Sequence, residues 1–468
     1  MTAFLLHYHL RPGGVTQVML NQARALLESG AEVFVLSGEA PVYADQWRGV
    51  RTEVIPALHY DLRRNGGDEN IQTLAAEIAR AIRGRRSGGP SLLHVHNPLI
   101  KKNSLLIGAL KLLSADFPLL LQNHDLAEDF RPDVYMNEEY PANCHYAVIN
   151  SRDYRFMLES GLKAEGLHLL PNEVQTLGAA PGLAQNRYLY PVRGIRRKNL
   201  GEALLLSCFI PGGRTVAVTQ PPTTVRDAAV YGRWKKLAAE LDLPVEFEIG
   251  ERLSFSGALG SAFAVITTSV KEGFGFSFLE SWTAGIASAG RRIDYVCRDF
   301  EENGVRFDSL YDSIKIPAAW APPDLFLRKL GETLNAVYAS FGNSMPREKI
   351  AAAKKFFGGA AELDFGVLDE EMQEAALRSV CAASEARRDI AAANPFLDGL
   401  AAWVPDLAVI EANRQAVRSA YSRERIGGRL REIYAAVLAA PVTQSISRAL
   451  LLERYLDPLR VFLTGIAQ

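Results

Sequence analysis

Two glutamates bracket the stretch of this chain richest in chemical possibility: Glu272-Gly273-Phe274-Gly275-Phe276-Ser277-Phe278-Leu279-Glu280. Carboxylates accept hydrogen bonds from hydroxyl groups. Glycines at 273 and 275 let the backbone come close to a ligand, and free N–H groups at a helix start can hold a phosphate. On that reading one carboxylate meets a sugar and the other a ribose. Spacing alone is also met by a plain turn with both glutamates solvated, because short Gly motifs recur by chance.

A basic run, Arg193, Arg196, Arg197 and Lys198, is the second candidate; by itself it is an ordinary solvated loop. Gly13-Gly14 before a helix is nonspecific and lacks the Gly-x-Gly-x-x-Gly spacing of a dinucleotide fold. All eight histidines lie between His7 and His168, and His7, His9, His94, His96 and His124 fall at or near expected strand ends. His7 and His9 share a face by strand alternation, as do His94 and His96, so a metal site has to be weighed. The carboxylates that usually support ligating histidines are not identifiable, which favours polar lining or hydrogen-bonded core histidine. His124 could equally orient a loop as a neutral imidazole bonded to Asp125.

These residues need a scaffold, and the chain reads as alternating strand and helix. Ala262 to Thr267 suits a buried parallel strand, followed by a tight loop carrying Glu272 at the sheet's carboxyl edge and by helical sequence from Phe276 to Trp282 containing Glu280. Ala3 to His9 reads as a strand, Val15 to Leu27 as a helix and Ala31 to Ser37 as the next strand. The pattern recurs at Leu92 to Val95, Ser104 to Leu113, Pro118 to Leu121, Tyr146 to Ile149 and Asp153 to Glu159. It recurs again with a helix from about Asn199 to Cys208, a strand at Arg214 to Thr219, a helix at Val225 to Leu241 and a strand at Val245 to Ile249. Doubly wound parallel sheets follow. Expected domains are 1–172, a linker at 173–187 rich in Gly, Ala, Pro and Gln, 188–317, a helical insertion at 318–405, and closing helices at 406–468 that return to the first domain.

The Glu272 to Glu280 segment resembles the Glu-x7-Glu signature of retaining nucleotide-sugar glycosyltransferases of family 4, including its Glu-Gly-Phe-Gly start and the preceding Ser269. The resemblance covers roughly residues 1–315 and implies a glycosyltransferase B fold: two Rossmann-like domains facing a cleft, with a helical region added here. It further implies that Glu272 holds the transferred sugar and Glu280 the ribose. Gly273, Phe274, Gly275, Phe276 and Ser277 would line the donor, and Gly13 and Gly14 would face its diphosphate and the acceptor. His124 would touch the transferred sugar. Arg193 and Lys198 match the Arg and Lys that neutralise the departing diphosphate, although Val192 stands where the family has glycine, leaving Arg196 or Arg197 open as alternatives.

Composition bounds the rest. Lys+Arg 52 against Asp+Glu 53 gives a formal charge of -1, so no global basic field argues for nucleic acid. Cys144, Cys208, Cys297 and Cys381 lie far apart in sequence and signal neither zinc nor a disulfide framework, which suits a reducing cytoplasm. No Asp-x-Asp occurs, so no metal is expected, and the resemblance implies a nucleoside diphosphate sugar as donor substrate with no other cofactor. The acceptor is a carbohydrate, a lipid or a small hydroxyl compound. Lys101-Lys102 ahead of an apolar helix leaves peripheral contact with the inner membrane face open. Two rivals stand beside hexosyl transfer: a nucleotide-sugar epimerase on the same fold, and a noncatalytic sugar-nucleotide-binding subunit.

Overall fold

A computed structural model describes residues 1–60, 68–85 and 88–466. The chain begins β1 (Thr2–His7), α1 (Gly14–Glu28), β2 (Glu32–Ser37), β3 (Arg51–Val54), α2 (Asp68–Arg85), β4 (Ser91–His96), α3 (Leu106–Leu113), β5 (Leu119–Asn123), β6 (His145–Val148), α4 (Ser151–Glu159) and β7 (Leu167–Leu169). These strands form one parallel sheet in the order β3-β2-β1-β4-β5-β6-β7. Inside the edge strands β3 and β7, the runs of Leu, Val and Phe are buried on both faces, as a doubly covered parallel sheet requires.

The second sheet is built from β8 (Arg187–Arg193), α5 (Leu200–Ser207), β9 (Thr215–Gln220), α6 (Val225–Glu240), β10 (Val245–Glu246), α7 (Phe255–Gly260), β11 (Ala262–Thr267), α8 (Glu280–Thr283), β12 (Ser288–Arg291), α9 (Asp294–Glu301) and β13 (Leu310–Tyr311). Its order is β10-β9-β8-β11-β12-β13, again parallel. The strand expected at Val245 to Ile249 stops after two residues, because Glu248 adopts a left-handed φ of 61° and a 3-10 turn begins at Ile249. A hairpin of β14 (Lys315–Pro317) and β15 (Glu362–Asp364) accompanies α10 (Pro323–Ser340), α11 (Arg347–Phe357), α12 (Glu370–Ala382), α13 (Ser384–Ala393) and α14 (Phe396–Ala402). The chain closes with α15 (Leu407–Tyr421), α16 (Arg423–Ala439) and α17 (Arg448–Tyr455).

By contact density one compact unit holds residues 1–173 and 420–456, the other 174–419 and 457–468. In the first, α16 lies on α1 so closely that a Cβ on Gly427 would stand 2.9 Å from the Ala25 side chain. The Arg448 guanidinium is buried against Glu128 at 3.1 Å, and Tyr455 donates to Asp153 at 2.7 Å. In the second, α12 packs on α5, and buried Arg291 bridges Glu202 on α5 and Asp364 on β15. Cys208 and Cys381, far apart in sequence, bring their free thiols to 3.8 Å here.

Candidate active site

In the second sheet strand order reverses between β8 and β11, and open α/β sheets bind ligands outside the carboxyl ends at such a switch point. The loop after β8 carries the basic run, and the loop after β11 carries Glu272. The two converge: Lys198 donates to one Glu272 oxygen, and Arg197 Nη1 reaches the other at 2.9 Å. Arg197 also donates to the Lys271 carbonyl at 2.8 Å, and its own carbonyl accepts from Val270 N–H at 3.1 Å.

The turn at 196–199 is held rigidly. Asn199 sits at φ 52°, an uncommon conformation for a non-glycine residue. Its neighbours fix it: Thr268 Oγ1 is 3.0 Å from the carbonyls of both Lys198 and Asn199, and Tyr190 hydroxyl donates to the Lys198 carbonyl at 2.7 Å. From the helical insertion, Gln373 donates to Asn199 Oδ1 at 2.8 Å and Glu370 pairs with Arg196 at 2.5 Å. The Arg196 guanidinium also donates to the carbonyls of Ile466 at 3.1 Å and Leu463 at 3.5 Å.

Burial alone would raise the Glu272 carboxyl, yet the charges of Lys198 and then Arg197 outweigh it and bring it down to about 2. Burial likewise pulls the Lys198 ammonium below its ordinary range while Glu272 holds it up. The two shifts differ in which force wins, because Glu272 has two cationic partners and Lys198 only one carboxylate; the pair is read as ionised. Glu280 differs. Burial without a countercharge raises it to about 7, and among the described residues its carboxyl has no hydrogen-bond or ion-pair partner.

Three sequence expectations need revision. Arg193, read as the diphosphate arginine, is exposed and hydrogen bonds Gln220 and Thr223 at 3.3 Å each, whereas Arg197 stands at Glu272. The helix expected from Phe276 to Trp282 is a 3-10 turn at Phe276–Phe278 followed by one α turn starting at Glu280. The two turns part at Leu279, and Gly275, at φ 92° with Val296 Cγ1 2.6 Å from where its Cβ would be, is the N-cap of the first. So short a helix has little macrodipole to offer an anion, and any anion contact here falls to individual N–H groups. Third, His124 does not bond Asp125: its Nε2 meets His96 Nδ1 at 3.1 Å, while Asp125 takes Asn97 at 3.4 Å and Arg131 at 3.3 Å.

Gly273, Phe274, Gly275, Phe276 and Ser277 lie on the loop between Glu272 and Glu280, with Phe274 and Phe276 in edge-to-face contact at 4.9 Å. Gly13, Gly14 and His124 belong to the first unit. Gly13 is the N-cap of α1 in an extended conformation, and a Cβ on Gly14 would meet nothing within 4 Å. His7, His96 and His124 end or follow β1, β4 and β5 beside that sheet's own switch point. Burial lowers His124 to about 4 and His7 and His94 to about 3, so these imidazoles are neutral. Tyr434 meets His94 Nδ1 at 2.8 Å. Among the described residues no three His, Cys, Asp or Glu side chains are grouped to hold a metal ion. Sequence reasoning kept Arg197 open as an alternative in the basic run and missed Gln373 and Glu370, for which it held no signal.

Two parallel Rossmann-like sheets with closing helices are the architecture of the glycosyltransferase B fold. Residues 13–172 match the family described as a glycosyl transferase 4-like domain. A mannosylglucosyl-3-phosphoglycerate synthase of Petrotoga mobilis is 24% identical, over 73% of this chain and 74% of that protein. Among solved structures, Anabaena HepE in complex with UDP and glucose superposes with a TM-score of 0.56 at 11% identity, covering 93% of this chain and 100% of that one. Sucrose-phosphate synthase of Thermosynechococcus elongatus gives 0.53 at 13% identity, covering 94% and 99%.

Proposed function

We propose that the protein transfers a hexose from a nucleoside diphosphate sugar to an acceptor hydroxyl with retention of anomeric configuration. The observation that carries this reading is the convergence of Arg197 and Lys198 on Glu272, beside a desolvated and unpartnered Glu280. Solved relatives of the same fold, bound to UDP and glucose or UDP-glucose, support a sugar-nucleotide donor.

In this scheme Glu272 is the resident counter-ion of the two cations and gives them up to the donor. Its carboxylate then accepts hydrogen bonds from sugar hydroxyls, and Arg197 and Lys198 stabilise charge growing on the leaving diphosphate. Such stabilisation is worth most where the cations are already aimed and water is excluded. Arg presents a planar fork and Lys a point charge, which together suit a diphosphate. Glu280 accepts the ribose hydroxyls. The acceptor oxygen attacks the face the diphosphate leaves; the C–O bond to the acceptor forms as the C–O bond to phosphate breaks, and a phosphate oxygen takes the acceptor's proton. No second carboxylate is needed as nucleophile, unlike in a retaining glycosidase. The roles drawn from resemblance for Gly13, Gly14 and His124, in the other unit, belong to this proposal, and Arg197 replaces Arg193 in it.

The test is mass spectrometry of the purified chain with a panel of sugar nucleotides and acceptors, with product anomers assigned by NMR. Transfer with retention that disappears in Glu272→Ala is expected. Turnover of donor without acceptor would indicate an epimerase instead, and no turnover at all a noncatalytic subunit. Transfer is expected to proceed unchanged in chelator; loss there with recovery on Mn²⁺ would overturn metal independence.

A further inference from the structure

The carboxyl edge of the first sheet holds a group of hydrogen-bond donors that the transfer reaction above does not use. His9 follows β1, Lys102 follows β4 and Arg131 follows β5, with Tyr60 among them. The backbone N–H of Arg11 donates to His9 Nδ1 at 3.3 Å, so neutral His9 carries its proton on Nε2. That proton goes to the Tyr60 oxygen at 3.0 Å, leaving the phenol's own O–H free to donate elsewhere. Burial keeps the Tyr60 hydroxyl protonated.

The Lys102 ammonium stands 5.5 Å from the Tyr60 ring centroid and is half-buried. Among the described residues no carboxylate is bonded to it. Arg131's charge pushes against it, while Asp133 and Asp125 attract it only through space. Of the neighbouring carboxylates, Asp125 pairs with Arg131 at 3.3 Å, and Glu39 with Arg11 at 2.5 Å and with His59 at 3.0 Å, while Asp133 attracts Lys102 without bonding it. An ammonium with three donors, a phenol O–H and a guanidinium whose charge is felt by both are therefore grouped here, and among the described residues the Lys102 ammonium is bonded to no acceptor. Asn97 ties this group to the histidine cluster, accepting from His124 N–H at 2.6 Å and Asp125 N–H at 3.1 Å.

We propose that Lys102, Tyr60 and Arg131 bind a phosphate monoester carried by the acceptor. A phosphate dianion is acceptor-only and tetrahedral, so it takes donors from several directions and supplies the countercharge that Lys102 lacks. A planar carboxylate would be served by Arg131 alone. The proposal rests on the transferase reading for calling the ligand an acceptor, but the anion site is tested without turnover.

Calorimetry of the full chain with inorganic phosphate, glycerol 3-phosphate and glucose 6-phosphate, beside glycerol and glucose, supplies the first test. At least one phosphorylated probe should bind at least tenfold tighter than its unphosphorylated counterpart. Lys102→Met should weaken that binding roughly tenfold, the size expected for a charge-assisted bond, and Tyr60→Phe severalfold, with nucleoside diphosphate binding unchanged in both. Flotation with vesicles containing phosphatidic acid, against phosphatidylcholine alone, separates a lipid headgroup from a soluble phosphate: Lys102-dependent flotation supports the site with a lipid as its source. If no phosphorylated probe and no vesicle binds in a Lys102-dependent way, the proposal is wrong, whatever the donor experiments show. If nucleoside diphosphate binding fails while phosphate binding holds, the donor reading falls and the anion site stands.

Discussion

Glu272 and Glu280 are held in opposite electrostatic states eight residues apart, and each state has a pH signature. Glu272 falls from an ordinary 4.5 to about 2 on folding, so it stabilises the fold above pH 4.5, and the benefit fades as pH drops toward about 2. Glu272→Gln leaves a buried ammonium with no carboxylate, a loss of about 3–5 kcal/mol at neutral pH. Urea unfolding should show that difference in full at pH 6 and much reduced at pH 3. Glu280 works the other way. Its folded value of about 7 against 4.5 means the folded chain holds that proton more tightly, so ionisation costs stability as pH rises through this window. Glu280→Gln should therefore be more stable than wild type at pH 8, by on the order of 1 kcal/mol after allowing for solvent, and equal to it near pH 4. The donor KM of the wild type should rise below pH 7 and stay flat in Glu280→Gln. Sequence made both glutamates visible, since spacing and residue type suffice to nominate them. It left the cation register open, because spacing does not show which of Arg193, Arg196, Arg197 and Lys198 meets Glu272; contacts from the loop after β11 decide that.

At the scale of elements, apolar runs such as Ala262–Thr267 were readable as strands because burial on both faces leaves them no polar alternation. The purpose of the helical insertion was not readable, since its contacts span long sequence separations. Gln373 lies 174 residues from Asn199 yet holds its side chain, and Glu370 is equally far from Arg196. Helix α12 therefore acts as a brace behind the turn that presents Arg197 and Lys198. Gln373→Leu removes one donor from a residue in a strained conformation, and the turn should lose definition. Nucleoside diphosphate Kd, measured by calorimetry, should rise roughly three- to tenfold, the range for one buried hydrogen bond, with the far-UV circular dichroism unchanged.

For the molecule as a whole, the two parallel sheets were legible from their alternating pattern, while the closing stretch, expected to return to the first domain over 406–468, is divided between the two compact units. Residues 420–456 are part of the first unit: α17 brings Arg448 to buried Glu128, and α16 brings Tyr434 to His94. Arg448→Met should cost about 3–5 kcal/mol by stranding the Glu128 charge, read as a lowered urea midpoint. The final stretch, 457–468, belongs to the second unit, where Leu463 and Ile466 offer their carbonyls to Arg196. Anyone building chimaeras from this enzyme and a relative, to exchange donor preference for instance, cannot cut once and join. A graft of the second unit must carry residues 457–468 with it, or the transplanted basic turn arrives without the struts it was shaped around.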